Sequence, residues 1–402
     1  MPVAPPLMLS GRPAARIRPQ LDGLRRVLAE LGDPQLEFPS LLVVGTNGKG
    51  STAVMLEAVL RAHDLKTGLF TSPHLVRVEE RVRLDGTPVN ETVLGAHIAR
   101  FDEYPDLTYF ETLTAAAFTV FSEARVEVAV LEAGMGGSWD ATRLAESAIA
   151  GLTNVGSDHA GWLGAEPTAV ARDKGRALAA ADHALIGSEV KEALLPELGA
   201  PAARPVRSLV RCSDKGGGRV RVSWDGHETD VRLPLSGAFQ VDNLELALAL
   251  AVEASGVGLM TALEPSRVQA ALEGVSWPGR LSVHLVEGRE VLMDCAHNLE
   301  AAEALARHLG GLDRRYNLLF SCLEDKPVEA MAMVLKPQVG DIVVCRLDDP
   351  RAMPPERIAA AFPGAEIAQD LLSGLNCLGD PVLAAGSIRL VGSLVALAGA
   401  AP

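Results

Sequence analysis

The stretch Leu41-Leu-Val-Val-Gly-Thr-Asn-Gly-Lys-Gly-Ser-Thr52 decides the fold. Its apolar start predicts a buried strand, its glycines predict a tight turn, and Ser51–Ala62 reads as an amphipathic helix. A strand, a turn and a helix N-terminus place backbone N–H groups and a positive dipole end where a polyphosphate can bind. Lys49 would reach the outer phosphates, and Ser51 or Thr52 would offer a hydroxyl to Mg²⁺.

The spacing of this loop differs from that of the common phosphate-binding loop. Counting back from Gly48, the expected first glycine falls on Val43, and Gly50 separates Lys49 from the hydroxyl. Glycine-rich turns before helices are frequent. On the local pattern alone, a purely structural turn therefore stays open.

Composition narrows the class of protein. The 402 residues are enough for two domains, each with its own core. A net charge of −14 argues against nucleic acid as a partner and requires a local basic pocket for any anionic substrate. Five cysteines without a C-x-x-C pair indicate a reduced cytosol. Without a membrane-span run, and without an apolar signal core in residues 1–20, we expect a cytoplasmic protein that does not contact the membrane.

Apolar strands alternate with helices in the first two thirds of the chain. After the loop, strands are predicted at Thr67–Thr71, Val126–Leu131 and Ala148–Thr153, with helices at Leu21–Leu31 and Gln240–Ala254. The other predicted helices begin at Thr108, Pro167 and Thr261. Between Gly216 and Leu235 the pattern changes to a hairpin with an Asp225-Gly226 turn, which we interpret as a β excursion from the first domain.

Polar residues follow the predicted strands. Ser72 follows the strand after the loop helix, Glu132 ends the run Val126–Leu131, and Asp158-His159 comes shortly after the third strand. In an open α/β sheet these ends face the ligand, and a strand-end carboxylate commonly holds Mg²⁺ near nucleotide phosphates. The mixed charges from Arg77 to Arg83 read as a solvated face.

A second, smaller parallel sheet is predicted beyond Gly274-Val-Ser-Trp-Pro-Gly-Arg280, because proline and glycine break the preceding helix there. A strand runs to Asp294, helices begin at Leu299 and after Pro327 and Pro354, and further strands are Leu318–Ser321, Ile342–Arg346 and the tail Ala384–Leu394. The predicted domains are 1–275, a linker at 276–282, and 283–402. The fold class is α/β: a larger P-loop-type parallel-sheet ATPase domain, then a smaller Rossmann-like domain.

Motifs across nearly the whole chain, in the family's order, resemble those of the folylpolyglutamate synthase and dihydrofolate synthase family of the Mur ligase superfamily. They are Leu31-Gly-Asp-Pro, the loop Gly45–Thr52, Ser72-Pro-His-Leu, Phe110-Glu111, Glu132-Ala-Gly-Met-Gly-Gly, Asp158-His159, Trp277-Pro-Gly-Arg280, Asp294-Cys-Ala-His-Asn298 and Gly386-Ser387. Each motif alone is weak, but the ordered set is highly specific.

This chain departs locally from the family pattern. Family members usually read Gly-Gly-Arg-Leu-Asp-Ala-Thr-Asn, where this chain has Gly136-Gly-Ser-Trp-Asp-Ala-Thr-Arg143. They often carry proline where Leu299 stands and aspartate where Pro327 stands. The first departure affects the expected substrate contacts near Ser138, Trp139 and Arg143, and not the ATP chemistry.

The resemblance implies a set of site residues. For ATP they are Thr46, Asn47, Gly48, Lys49, Gly50, Ser51, Thr52, Asn243, Arg280, Asp294 and His297. For the metal, Mg²⁺ or Mn²⁺, they are Ser51, Ser72, Glu132 and His159, of which the first three offer the hard oxygens that Mg²⁺ prefers. Catalytic roles fall to Lys49, Lys174 and His159, and substrate contacts to Phe110, Glu111 and Asp140.

Several of these residues also have plain structural interpretations. Glu132 alone reads as a solvated strand-end carboxylate, and a lone His159 as a hydrogen-bond donor. Asp294 to Asn298 could be a helix N-cap and its neighbours, and Arg280 a surface charge. By resemblance, Asp294, His297 and Arg280 instead reach ATP across an interdomain cleft. Asp325-Lys326 is either a solvated loop or part of the incoming amino-acid site.

The reaction that the resemblance implies is ATP-dependent amide formation. A substrate carboxylate attacks the γ-phosphoryl group to give an acyl phosphate and ADP; the amino group of L-glutamate then attacks the carbonyl and releases phosphate. The acceptor is dihydropteroate or a reduced folate, and the residues do not distinguish between the two activities. Closure of two domains would keep water from the acyl phosphate. We expect a monomer that binds only small molecules.

Two other functions are kept in view. Another Mur-superfamily amino-acid ligase, such as a peptidoglycan-precursor ligase, should carry a UDP-sugar domain before the loop, where only about forty residues stand. A non-catalytic ATP-binding regulator would bind ATP without glutamate-dependent ADP release. Lys49, Glu132, His159 and Asp294 all speak against the regulator.

Lys174 has two interpretations. Among Arg172, Asp173 and Arg176 it reads as a helix-surface lysine. Its position along the Pro167 helix, after Asp158-His159, resembles the lysine that this superfamily carbamylates. A lysine that burial makes neutral can react with CO₂, and the resulting anion could support Mg²⁺ or its waters. In this hypothesis Gly175 leaves room beside the carbamate.

Overall fold

The computed structural model describes Arg12 and residues 20–157 and 166–399. Its chain divides into two compact units. The first holds the described residues up to Pro234 together with Gln240–Val275, and the second holds Leu235–Phe239 and the described chain from Ser276 onward. The linker at 276–282 stays a prediction.

A largely parallel sheet forms the centre of the first unit. Its described strands are β1 (Ser40–Val44), β2 (Thr67–Phe70), β3 (Val82–Leu84), β4 (Thr87–Pro88), β5 (Val128–Glu132), β6 (Ile149–Leu152), β7 (His183–Ile186) and β8 (Arg204–Pro205). They lie in the order β4-β3-β2-β5-β1-β6-β7-β8, and only β3 and β4 join antiparallel. β1 and β5 are buried at every position, as central parallel strands are.

Helices pack against this sheet. In the described part of the first unit they are α1 (Asp22–Glu30), α2 (Lys49–Ala62), α3 (Glu91–Ala99), α4 (Tyr109–Ala124), α5 (Pro167–Ala179), α6 (Gln240–Gly256) and α7 (Pro265–Glu273). The helix after the phosphate loop, α2, packs against α6 and α7 and is buried from Gly50 to Leu60. The helices predicted from the sequence are all present, with ends shifted by a few residues.

The β excursion is a three-stranded antiparallel sheet, formed by β9 (Val210–Gly216), β10 (Arg219–Trp224) and β11 (His227–Arg232). Asp225 and Gly226 both have positive φ, 44° and 78°, which matches the twist of a two-residue hairpin. The predicted hairpin is confirmed. The sequence pattern did not indicate β9, because five of its seven residues are exposed without regular alternation.

The second unit has its own sheet. Its described strands are β12 (Ser282–Val286), β13 (Arg289–Met293), β14 (Tyr316–Phe320), β15 (Val339–Cys345), β16 (Glu366–Ala368) and β17 (Val382–Ala385), in the order β12-β13-β17-β14-β15-β16. Its described helices are α8 (Leu299–Gly310), α9 (Val328–Leu335), α10 (Pro355–Ala361), α11 (Leu371–Cys377) and α12 (Ile388–Leu397).

Two predictions for the second unit were wrong. The sheet is mixed, because β12 and β13 form an antiparallel hairpin where one strand was expected. The tail is not a strand from Ala384 to Leu394. The strand ends at Ala385, and Ser387 then caps α12 by accepting the N–H of Arg389 at 3.1 Å. The apolar residues beyond Ser387 have helical spacing. The sequence pattern did not separate this helix from the strand because both are apolar and follow one another within a few residues.

The charge run from Arg77 to Arg83 is not a solvated face. Glu79, Glu80, Arg81 and Arg83 are each less than a tenth exposed. The carboxylate of Glu80 accepts the N–H groups of Leu75 and Val76 at 2.7 and 2.8 Å, so it closes the turn after Ser72. Nε of Arg81 donates to Nδ1 of His74 at 2.9 Å. The solvated interpretation was wrong because polar groups of the same turn give these buried charges hydrogen-bond partners.

Within residues 20–157 and 166–399, each helix is too short or too polar to span a lipid bilayer.

Candidate active site

The phosphate loop links β1 to α2 through Gly45-Thr-Asn-Gly48. Gly48 has a φ of 83°, and a Cβ there would lie 2.2 Å from Oδ1 of Asn243 on α6. Only glycine therefore fits, and its tight turn aims the N-terminus of α2 at the end of the sheet. Asn243 also donates from Nδ2 to Oε1 of Gln240 at 2.8 Å, so the predicted nucleotide residue does lie at the loop.

Lys49 is the first residue of α2 and turns back over the loop. Its Nζ donates to the carbonyl oxygens of Gly45 and Thr46, both at 3.1 Å. A cation held by two loop carbonyls stands where the loop amides and the helix dipole attract phosphate. The geometry fits the expected role of neutralising phosphate oxygens.

Ser51 and Thr52 place two buried hydroxyls in the first turn of α2. Neither Oγ of Ser51 nor Oγ1 of Thr52 has a hydrogen-bond partner in the described chain, and both residues are at most 1% exposed. A buried hydroxyl without a partner is costly, and such groups in native proteins commonly serve a ligand or an ion. The orphaned Ser51 oxygen therefore fits a hard divalent cation.

Glu132 and Ser72 lie beside one another at the ends of neighbouring strands. Glu132 is buried, and its Oε2 accepts the backbone N–H of Ser72 at 2.9 Å. Register pairs Glu132 with Val43 on β1, two residues before the loop. The solvated-carboxylate interpretation of Glu132 is therefore wrong. The described residues hold no cluster of three His, Cys, Asp or Glu residues suited to a metal. The three expected ligands among them, Ser51, Ser72 and Glu132, offer hydroxyl oxygens and one carboxylate.

His159, the fourth expected metal ligand and a predicted catalytic residue, lies outside the described residues, as does Asp158. Their roles stay predictions.

Lys174 lies on α5 and is only 3% exposed. Its Nζ donates to the carbonyl oxygen of Gly45 at 2.8 Å, so the helix-surface interpretation is wrong. The expectation for Gly175 was also wrong. A Cβ on Gly175 would lie 1.7 Å from the carbonyl oxygen of Leu198, so this glycine admits a neighbouring backbone and not a carbamate.

The predicted substrate residues lie on α4 and on the loop after β5. Oε2 of Glu111 accepts the N–H of Thr108 at 2.7 Å and caps α4. The carboxylate of Asp140 accepts the N–H groups of Met135 and Thr142 at 2.9 and 3.0 Å, and burial raises its pKa. Both carboxylates thus shape their own loops. Phe110 is half-buried, with its ring centroid 5.8 Å from that of Phe70. Direct substrate contact stays a prediction for all three residues.

In the second unit, Asp294 follows β13 and is buried. It accepts the N–H groups of Leu281 and Ala296 at 3.1 and 2.9 Å. Burial raises its pKa, against the opposing charge of Arg280. Nδ1 of His297 lies 2.8 Å from the carbonyl oxygen of Cys295. The N-cap of α8 is Asn298, whose side chain accepts the N–H of Ala301, as the plain structural interpretation of this segment expected. The nucleotide roles of Asp294, His297 and Arg280 stay predictions.

The two interpretations of Asp325-Lys326 were a solvated loop and an amino-acid site. Lys326 is 9% exposed and pairs with the exposed Asp325, with Nζ and Oδ2 3.2 Å apart. A buried lysine does not fit a solvated loop, and the role of Lys326 in an amino-acid site stays a prediction.

Sequence reasoning missed residues that hold the phosphate loop. Oδ1 of Asn154 accepts the N–H of Asn47 at 2.9 Å, and Oγ1 of Thr153 donates to the carbonyl oxygen of Asn47 at 2.6 Å. Oγ1 of Thr46 accepts the N–H of Gly156 at 2.8 Å. The available signal was the polar Thr153-Asn154 pair after a buried strand, since parallel strand ends meet at one edge.

Comparisons with known proteins bear on these observations. Residues 43–183 match the model of the Mur ligase middle domain, and residues 279–387 match the Mur ligase, glutamate ligase domain. A dihydrofolate synthase/folylpolyglutamate synthase of Mycobacterium tuberculosis is 34% identical over 94% of this chain and 84% of its own length. A probable bifunctional folylpolyglutamate synthase/dihydropteroate synthase of Haloferax volcanii is also 34% identical over 94% of this chain, which spans 48% of that protein.

Solved structures agree with these matches. The Mycobacterium tuberculosis folylpolyglutamate synthase complexed with ADP and AMPPCP superposes with a TM-score of 0.87, at 32% identity over 96% of both chains. A bifunctional folylpolyglutamate synthase/dihydrofolate synthase with Mn, AMPPNP and L-glutamate bound gives a TM-score of 0.82, at 26% identity over 95% of this chain and 94% of that one. The chain described here belongs to the folylpolyglutamate synthase/dihydrofolate synthase family of ATP-dependent Mur ligases.

Proposed function

We propose that this chain adds L-glutamate to dihydropteroate, to reduced folates, or to both, with ATP cleaved to ADP and phosphate. The observation that carries the proposal is the buried hydroxyl of Ser51, which has no hydrogen-bond partner in the described chain and stands two residues after Lys49 in the phosphate loop. We infer the substrates from the names of the relatives and from the match to the glutamate ligase domain.

The proposed reaction has two steps. An acceptor carboxylate oxygen attacks the γ-phosphorus of ATP while the bond to the β-bridging oxygen breaks and ADP leaves. The glutamate nitrogen then attacks the acyl carbon, loses a proton, and expels phosphate. Lys49 neutralises charge on the phosphate oxygens, and the N-terminus of α2 orients them.

The proposed metal site consists of Ser51, Ser72, Glu132 and His159, for Mg²⁺ or Mn²⁺. When bound, the cation would neutralise the charge on the phosphoryl oxygens. Ser51, Ser72 and Glu132 would hold it through hard oxygens, and the N–H of Ser72 already orients Glu132.

We keep the carbamate on Lys174 as part of this proposal. It is supported by the burial of Lys174 and by its bond to the loop residue Gly45. A carbamate retains one N–H, so this bond is compatible with both forms of the side chain. The anionic group would then lie at the phosphate loop, where a cation or its waters could use it.

The testing experiment is ADP release by the purified chain with L-glutamate and each acceptor. We expect both dihydropteroate and tetrahydrofolate to support glutamate-dependent ADP release by a monomer. Activity with one acceptor would reduce the proposal to a monofunctional enzyme. ATP binding without turnover of either acceptor would contradict it and favour a regulator.

A further inference from the structure

Arg143 lies where this chain departs from its family, in the short 3₁₀ helix Ala141–Ala145 after Asp140. The side chain is half-buried, and its Nη1 donates to the carbonyl oxygen of Ser138 at 2.5 Å. Within the described residues this is its one hydrogen bond, and no carboxylate pairs with it. A guanidinium has five N–H donors, so most of them are left for a ligand.

None of the described carboxylates around this loop forms an ion pair with Arg143. Asp140 accepts N–H groups of its own loop, and Glu132 accepts that of Ser72. Asp173 on α5 accepts the hydroxyl of Ser138 through Oδ1, and its buried Oδ2 has no hydrogen-bond partner among the described residues. The hydrogen bond from Arg143 to Ser138 therefore fixes the guanidinium without neutralising it. A half-buried, fixed and unneutralised guanidinium is suited to bind a carboxylate with two parallel hydrogen bonds.

The position of Arg143 favours the acceptor over the nucleotide. Lys49 and Lys174 both donate to the carbonyl oxygen of Gly45, so these two side chains are directed at the phosphate loop. Arg143 instead bonds to Ser138, next to the half-buried Trp139. Gly137 of the same loop packs against the backbone of Asp173 and Lys174, and Trp139 and Arg143 follow this contact in the chain.

We propose that Arg143 binds a carboxylate of the acceptor other than the one that is activated. This inference rests on the proposed function. Dihydropteroate has a single carboxylate, which must reach the γ-phosphate. An acceptor that already carries glutamate has a second one, its α-carboxylate. Arg143 thereby favours glutamylated acceptors, and it is a specificity-determining residue.

The departure from the family pattern supports this role. The family's usual Gly-Gly-Arg-Leu-Asp-Ala-Thr-Asn has its arginine at the position of Ser138, whereas this chain has it at Arg143. The loop keeps one guanidinium but moves it to the far side of Asp140, where the Ser138 carbonyl orients it.

The test compares full-length wild type, Arg143→Gln and Arg143→Lys. A matched control is Arg25→Gln, which removes an exposed arginine from α1. KM is measured for tetrahydrofolate, dihydropteroate and ATP from ADP release. We expect Arg143→Gln to raise KM for tetrahydrofolate about 10- to 100-fold, as for loss of a hydrogen-bonded charge, with the other two within about twofold. Arg143→Lys should be intermediate, and Arg25→Gln should match wild type.

Equal rises for both acceptors, a rise for ATP, or no change would each overturn the inference. A thermal melt of each variant shows whether a change reflects folding. Equilibrium binding of tetrahydrofolate and dihydropteroate is measured alongside, because it does not require turnover. If wild type turns over neither acceptor, the proposed function fails; the inference about Arg143 then stands only if Arg143→Gln selectively weakens binding of tetrahydrofolate, and falls otherwise.

Discussion

Nζ of Lys174 donates a hydrogen bond of 2.8 Å to the carbonyl oxygen of Gly45, although the two residues are 129 positions apart in the chain. Nζ of Lys49 donates to the same oxygen at 3.1 Å. Two lysine side chains therefore meet at the first residue of the phosphate loop. Lys49 supplies positive charge for phosphates in a protein of net charge −14, and Lys174 lies where the proposed carbamate would support a cation or its waters.

The first prediction concerns Lys49. Lys49→Ala should lower the rate of ADP release by about 100-fold or more, because one positioned charge stabilises the transition state by several kcal/mol. Lys191→Ala, which removes an exposed lysine, is the control and should keep full activity. Near-full ADP release by Lys49→Ala would show that Lys49 is only a helix-start residue.

The second prediction concerns the carbamate. Lys174→Ala should lose about 100-fold or more in turnover and recover part of it with added short-chain carboxylic acids, which replace the missing anion. Lys174→Arg should not be rescued, since an anion would meet a fixed cation. Labelling with isotopic CO₂, read by NMR, would detect the carbamate in wild type. Full activity of Lys174→Ala without additives would refute the carbamate.

The third prediction separates function from stability at two buried serines. Ser51→Ala should change the free energy of unfolding by no more than about 0.5 kcal/mol, because Oγ of Ser51 has no hydrogen-bond partner among the described residues. The same substitution should raise the Mg²⁺ concentration needed for activity. Ser40→Ala is the matched comparison. It leaves the buried hydroxyl of Ser147, now 2.7 Å from Oγ of Ser40, without its partner, and should cost about 1–3 kcal/mol.

Urea denaturation and a Mg²⁺ titration of ADP release provide the two readouts for the serines. A large loss of stability in Ser51→Ala, with an unchanged Mg²⁺ requirement, would assign Ser51 a structural role.

The fourth prediction concerns two helical glycines. Gly175→Ala should destabilise the protein by at least about 1–3 kcal/mol, because the new Cβ would lie 1.7 Å from the carbonyl oxygen of Leu198. Gly95→Ala, in the middle of α3, meets nothing within 4 Å and should stabilise by about 0.5–1 kcal/mol. Thermal and urea unfolding measure both. Equal effects would mean that helix propensity, and not the contact with Leu198, decides.

The fifth prediction concerns pH. Burial, with Glu189 and Glu245 nearby, raises the pKa of Asp242 to about 6, although Arg207 opposes the shift. The folded state thus holds this proton over a range where the unfolded state has lost it, so stability contributed by Asp242 falls as pH rises from about 4 to about 6. Asp242→Asn should therefore gain more stability at pH 7.5 than at pH 4. Urea unfolding at both pH values checks this, and an equal gain would contradict it.

The sequence by itself determined the phosphate loop, the strand-end positions of Ser72 and Glu132, and most helices. These features depend on local patterns: apolar periodicity sets each element, and the carboxyl ends of parallel strands share one edge. The pattern was insufficient at the tail, where a short strand and a helix follow one another within a few residues.

Only the tertiary structure decided which charged and polar residues are buried and what satisfies them. The sequence shows Lys174 among surface-like charges, but the structure buries it against Gly45. It likewise buries Glu80 behind the N–H groups of Leu75 and Val76, and brings Asn154 to the phosphate loop. The physical reason is that a charged or polar group can leave water only when partners replace its hydration, and those partners are often supplied by distant parts of the chain.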